Sequence, residues 1–137
     1  MEMLVDFPGG VRVDAHFGPY TVMTDQPGAK GEPGTAPTPF MLFLASIATC
    51  AGFYVLEFCQ QRQLPTDGVR IIQRSDRNRL TGMVENVEIE IQVPPEFPEK
   101  YLPALVRSAE LCAVKKHIED PPAFTVVTQV VSGVEDR

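Results

Sequence analysis

The sequence predicts an α+β fold with N-terminal antiparallel strands, a long central apolar helix, further strands and a second helical segment. Three observations predict it. Residues 3–24 are short β-rich runs split by turn residues. Residues 39–63 form a largely apolar run of helix length behind a capping threonine. Val87, Ile89, Ile91 and Val93 keep strict period two, the pattern of a half-buried strand.

Each element follows in turn. MLVDF, VRVDAHF and YTVMT are separated by Pro8-Gly9-Gly10 and Gly18-Pro19, which makes an antiparallel meander the economical reading. The segment from Asp25 to Pro39 holds four prolines and three glycines with almost nothing apolar, so it is a surface loop. Its length is that of a lid or a partner-contacting segment. Thr38 is a suitable N-cap with Pro39 at the first helical position, and the helix runs on to about Leu64-Pro65. It is apolar nearly all round from Phe40 to Phe58, which predicts burial on several sides, under sheet and under a partner subunit. The longest mainly apolar stretch, from Phe40 to Ala48 and interrupted by Ser46, is too short to be read as a membrane span.

GVRIIQRSDRN and MVENVEIEIQV come next as strands, the second stopped by Pro94 and Pro95. Leu105, Val106, Ala109 and Cys112 then recur at helical steps, predicting one helical stretch from about Pro103 to Ile118. FTVVTQVVSG closes the chain as a strand.

A chain of 137 residues suits a single domain, 1–137, able to bury a core without staples. Twelve Lys+Arg against 18 Asp+Glu leave a net charge of −6, which argues against a nucleic-acid partner. The one basic cluster, Arg70, Arg74, Arg77 and Arg79, is interrupted by Asp76. Three cysteines are an odd and sparse set, pointing to a reducing cytoplasm rather than a disulfide framework. The N-terminus has no basic start followed by an apolar run, so no signal peptide is expected.

The candidate chemistry lies with the cysteines. Any one of Cys50, Cys59 and Cys112 is more readily a small core residue than a reactive one. Cys59 follows Cys50 by nine positions, nearly half a turn round the helix, so these two do not bridge in one straight helix. Cys50 and Cys112 lie on different elements, and tertiary contact decides whether they meet. Glu57 lies almost on the face of Cys50, either paired with an arginine or emerging into solvent. A zinc set of Cys50, Cys59, Cys112 and His117 matches no trusted ligand spacing. His16 reads as a surface or edge residue. Ser46 lacks a nucleophile-elbow setting, and GAKGEPG lacks the ending of a phosphate loop, so no cofactor is expected.

TPFMLFLASIATCAGFYV, the later LCAVKKHI and the order of elements resemble the OsmC/Ohr family of thiol-dependent peroxidases over nearly the whole chain. The resemblance implies an intertwined homodimer with the long helices back to back and the active sites at the interface. It also implies that Cys50 is peroxidatic, oxidised by an organic hydroperoxide to a sulfenic acid, and that Cys112 resolves it as a disulfide that a dithiol reductant reopens. One position departs from the family. A glutamate ten residues before the cysteine, directly after a proline, helps to hold an activating arginine in the hydroperoxide-resistance branch, and here that position is Phe40. Glu32 and Glu57 are the candidate stand-ins, and Arg12 is the nearest match for the arginine. Phe40 resembles instead the OsmC-like branch with an apolar residue there.

Two functions follow. The first is a cytoplasmic peroxidase of organic hydroperoxides acting in oxidative-stress defence, with Phe40, Phe43, Phe53 and Tyr54 lining an apolar pocket. The alternative is a non-catalytic dimeric module that binds a small apolar ligand or senses redox state.

Overall fold

The computed structural model describes residues 1–133. The N-terminal meander forms as its spacing predicts: β1 (Leu4–Gly9), β2 (Arg12–Phe17) and β3 (Tyr20–Thr24) make an antiparallel sheet in the order β1-β2-β3. Gly9 and Gly10 turn between β1 and β2 with φ of 150° and 58°, which only glycine adopts without strain. The loop from 25 to 38 is tied back onto this sheet by Asp25. Its carboxylate accepts the Thr35 N–H at 2.8 Å, the Thr35 hydroxyl at 2.7 Å and the Gln26 N–H at 2.8 Å.

Helix α1 (Pro39–Gln61) starts where the Thr38 hydroxyl accepts the Met41 N–H at 3.2 Å. It ends at Arg62 and Gln63, the latter in the left-handed region at φ 53°. At 23 residues with a window of mean hydropathy 1.9, α1 is long and apolar enough to cross a membrane by those measures, as core helices of soluble proteins can be. The Phe40–Ala48 stretch alone understated it. Strands β4 (Arg70–Arg77) and β5 (Val84–Gln92) pair antiparallel, Ile71 opposite Ile91 and Gln73 opposite Ile89. This hairpin packs on α1. The Gln73 side chain donates to the Leu44 carbonyl at 2.9 Å, and a Cβ on Gly52 would touch Ile71 Cδ1 at 3.4 Å, so the glycine lets strand and helix close together.

A turn of 3-10 helix (Glu99–Tyr101) leads into α2 (Leu102–Ala109), and α3 (Ala113–Glu119) follows. The core lies where α1, α2 and the hairpin meet: Val55, Phe58, Cys59, Phe97 and Leu105, ringed by Leu64, Val69, Ile71, Ile91, Val93 and Tyr101. The arginines of β4 are engaged by the neighbouring strand. Arg74 pairs with Glu88 at 2.9 Å and Glu90 at 2.6 Å, and Arg70 donates to Gln92 at 2.6 Å.

Three expectations are corrected. The single helix over 103–118 is two helices, because Cys112 adopts φ −47° and ψ 120°, a conformation that breaks one helix and caps the next. The terminal strand does not pair within the chain: residues 121–131 carry no ladder bonds, and Phe124, Val126, Val127 and Val130 are almost fully exposed. A strand needs an edge to join, and apolar alternation does not supply one. Finally, α1 is not buried on several sides in one chain. Ile47, Ala51, Val55, Phe58 and Cys59 are buried, whereas Ala45, Thr49, Phe53 and Leu56 form an exposed stripe on the opposite side.

Candidate active site

Cys50 and Cys112 come together although 62 positions separate them. Cys50 lies midway along α1, half-buried, and Cys112 lies at the α2–α3 break, 1% exposed. α2 packs against α1, and the break after it turns the start of α3 back toward the middle of that helix. There the Cys112 sulfur faces three groups. It accepts the Lys115 backbone N–H at 3.4 Å, it lies 3.9 Å from the Ile47 carbonyl as a donor, and it lies near enough to Cys50 for each thiol to shift the other.

These neighbours divide the two thiols. Burial pushes the Cys50 thiol up, but hydrogen bonds from the Val114 N–H, the Cys112 thiol and the Ala113 N–H outweigh it and hold Cys50 below the ordinary thiol value. For Cys112, burial and its role as donor to Cys50 outweigh the Lys115 N–H, so its thiol is raised. The two thiols are therefore shifted in opposite directions, Cys50 down and Cys112 up. Cys59 belongs to the core at 0% exposure, and burial raises its thiol despite the nearby Arg62.

The charged candidates lie elsewhere in the chain. Arg12 on β2 pairs with Asp14 at 3.1 Å, and Glu57 accepts from Gln61 at 3.3 Å; neither is among the groups acting on Cys50. Glu32 is occupied within its own loop, where its carboxylate accepts the Lys30 N–H at 3.0 Å. Phe40 stacks with Phe43 at 5.6 Å and carries the Arg77 guanidinium over its ring at 5.5 Å. The amides of Ala113 and Val114 are the groups that sequence reasoning missed. They are backbone donors placed by a helix start, and a reading of 103–118 as one helix hides that start.

A mainly apolar cleft of about 480 Å³ reaches Ile47, whose carbonyl lies 3.9 Å from the Cys112 sulfur; it is walled by Ile47 of α1, Val87, Ile89 and Ile91 of β5, Val106 and Ala109 of α2 with Glu110 after it, and Lys115 and Ile118 of α3. Phe40, Phe43 and Phe53, expected to line a pocket, do not line it. The period-two face of the hairpin supplies the wall instead. Tyr54 and Glu57 line a second cleft of about 480 Å³ with Phe58, Arg62 and Arg107. Among the described residues no three His, Cys, Asp or Glu side chains cluster as a metal site.

The fold has known counterparts. A protein from Psychrobacter arcticus 273-4, described as an osmotic stress induced and detoxification response protein, superposes with a TM-score of 0.68 at 22% identity, over 83% of this chain and 85% of that one. A hypothetical protein from Aquifex aeolicus VF5 superposes with a TM-score of 0.63 at 20% identity, over 88% of this chain and 87% of that one. No curated protein matches in sequence. The model of the OsmC-like proteins matches residues 31–127, a span that holds α1, the β4–β5 hairpin and both Cys50 and Cys112. With that span and this architecture, the chain belongs to the OsmC-like protein family.

Proposed function

We propose that the protein is a thiol-dependent peroxidase that reduces organic hydroperoxides through Cys50 and Cys112. The observation that carries this reading is that Cys112, at the start of α3, packs onto the Ile47 turn of the helix that bears Cys50, where the Cys50 thiol is shifted down and the Cys112 thiol up. The Cys50 thiolate attacks the outer peroxide oxygen; the O–O bond breaks, the alcohol leaves with a proton, and Cys50 becomes a sulfenic acid. Cys112 attacks that sulfur, water leaves and a disulfide forms. A dithiol reductant then returns both thiols and is itself oxidised. The apolar cleft beside Ile47 suits an organic substituent better than hydrogen peroxide. The cytoplasm, where such thiols stay reduced, is the proposed setting.

The working unit we propose is a homodimer. The exposed α1 stripe, with Phe53 at 58% exposure, and the unpaired strand-like segment 124–131 are apolar surfaces that one chain leaves open to water. The stripe offers a face for a second α1, and the segment needs an edge from a second sheet.

The test is consumption of cumene hydroperoxide by the purified chain with dithiothreitol, beside Cys50→Ser and Cys112→Ser. Turnover is expected in the wild type and loss of it in Cys50→Ser. One observation favours a non-catalytic module: among the described residues no cationic side chain is one of the groups that shift Cys50. Turnover no faster than Cys50→Ser decides for that module.

A further inference from the structure

The first turn of α3 is capped by a sulfur of the candidate site. Cys112 is the N-cap residue, its sulfur accepting the Lys115 N–H at 3.4 Å, and the next two amides, Ala113 and Val114, lie where they lower the Cys50 thiol. One of the amides that a helix start leaves without an internal partner is thus satisfied by sulfur. Little else holds α3 in place. It has seven residues, none of them buried, and no acidic residue in its first turn; an exposed pair of Lys115 and Glu119 at 3.8 Å adds little. Helices this short do not persist in water on their own propensity.

We infer that bridging Cys50 to Cys112 uncaps α3, so that the helix is ordered in the reduced protein and loosened in the oxidised one. Forming the bond draws the Cys112 sulfur to about 2 Å from the Cys50 sulfur, and a disulfide sulfur is neutral and a poor acceptor for the Lys115 N–H that Cys112 caps. Bond and proton balance are those of the resolving step: Cys50–SOH and Cys112–SH give the disulfide and water.

The change has a use. In the reduced protein Cys112 is 1% exposed, and α3 contributes Lys115 and Ile118 to the wall of the adjoining cleft. A dithiol must reach the disulfide in line with the sulfur–sulfur bond to reopen it. Loosening α3 takes down that wall only while there is a disulfide to reduce, and the returning thiols close it again.

The inference rests on the peroxidase reading only for the natural oxidant, so the test makes the bridge independently of it. Amide hydrogen exchange is followed by mass spectrometry over residues 110–120 of the full chain, reduced and after oxidation with diamide, with the Cys50–Cys112 bridge identified in the same peptides. Exchange at Lys115 and its neighbours is expected to quicken by about 2- to 30-fold on oxidation, the range of a lost N-cap. In the reduced protein Cys112→Ala is expected to show the same release, and Cys112→Ser, which keeps an oxygen acceptor, to show less. A bridge formed with unchanged protection overturns the inference, as does failure of diamide to form the bridge. Unchanged protection in a bridged protein leaves hydroperoxide turnover untouched, whereas failure to form the bridge counts against Cys112 as the resolving thiol as well; a bridge that diamide makes and cumene hydroperoxide does not would overturn the peroxidase reading alone.

Discussion

The Cys112 sulfur accepts the Lys115 N–H at 3.4 Å as the N-cap of α3, and the same helix start brings the Ala113 and Val114 amides to where they lower the Cys50 thiol. Backbone groups thereby act on Cys50. An amide donor does not titrate or swing away, and it favours the thiolate through a hydrogen bond rather than a full charge.

The three thiols are expected to react at different rates. The thiolate is the nucleophile, so a lowered pKa raises the reactive fraction at neutral pH and a raised one diminishes it. In the reduced chain at pH 7, Cys50 should be alkylated by iodoacetamide at least about 10-fold faster than Cys59 or Cys112. Peptide mapping over time checks this, and equal rates contradict it. The Cys50 rate should rise with pH and level off below the pH at which a free cysteine does.

Ala113→Pro probes the amide donors directly. Proline is tolerated at the first helical position and Cys112 already has the extended ψ of 120° that a following proline requires, so the variant should fold. It lacks the 113 N–H. Alkylation of Cys50 at pH 7 should slow by about 2- to 10-fold, the worth of one net hydrogen bond, and its titration should move upward. An unchanged titration, read by thiolate absorbance, removes this amide from the account.

The exposed side of α1 should carry the dimer. Phe53→Glu places a charge in the stripe of Ala45, Thr49 and Leu56 without touching the core residues Val55, Phe58 and Cys59. Sedimentation velocity should give a dimer for the wild type and a monomer for the variant. A Phe53→Glu dimer as tight as the wild type would move the interface off this helix.

Stability should depend on the core and the helix start. Leu105, 1% exposed among Val55, Phe58 and Cys59, should cost about 2–5 kcal/mol on replacement by alanine. Thr38→Ala, which leaves the Met41 N–H without its cap, should cost about 0.5–2 kcal/mol. Urea unfolding measures both.

The Asp25 anchor has a defined acid limit. The Thr35 hydroxyl, the Thr35 N–H and the Gln26 N–H hold its carboxyl below the ordinary value. A depressed folded pKa means that the stabilisation is complete above the unfolded value and is lost as pH falls through the folded one. The loop from 25 to 38 should therefore stay pinned through mild acid and loosen only in strong acid, whereas Asp25→Ala should loosen it at every pH. Exchange of the Gln26 and Thr35 amides reads both effects.

Much of the architecture could be read from local pattern. The meander, the Thr38-Pro39 helix start and the β5 alternation all follow from residue types and short spacings, because turn chemistry, capping and periodicity are local. Cys59 could likewise be read as core from its place on the helix opposite Cys50. The nature of the family was legible in the same way, through the cysteine-bearing helix and the later LCAVKKHI. What local pattern could not supply was anything that depends on where one element ends against another. The break at Cys112 is a matter of two backbone angles in a stretch whose side chains fit a continuous helix, and that break brings the Ala113 and Val114 amides to Cys50. The apolar face of α1 and the alternation of 124–131 fix what must be covered, but contact across a chain, or between chains, fixes what covers it. A thiol's reactivity belongs to that second kind of fact, because burial and hydrogen bonds acting over a few ångströms set its pKa and no neighbour in sequence need be involved.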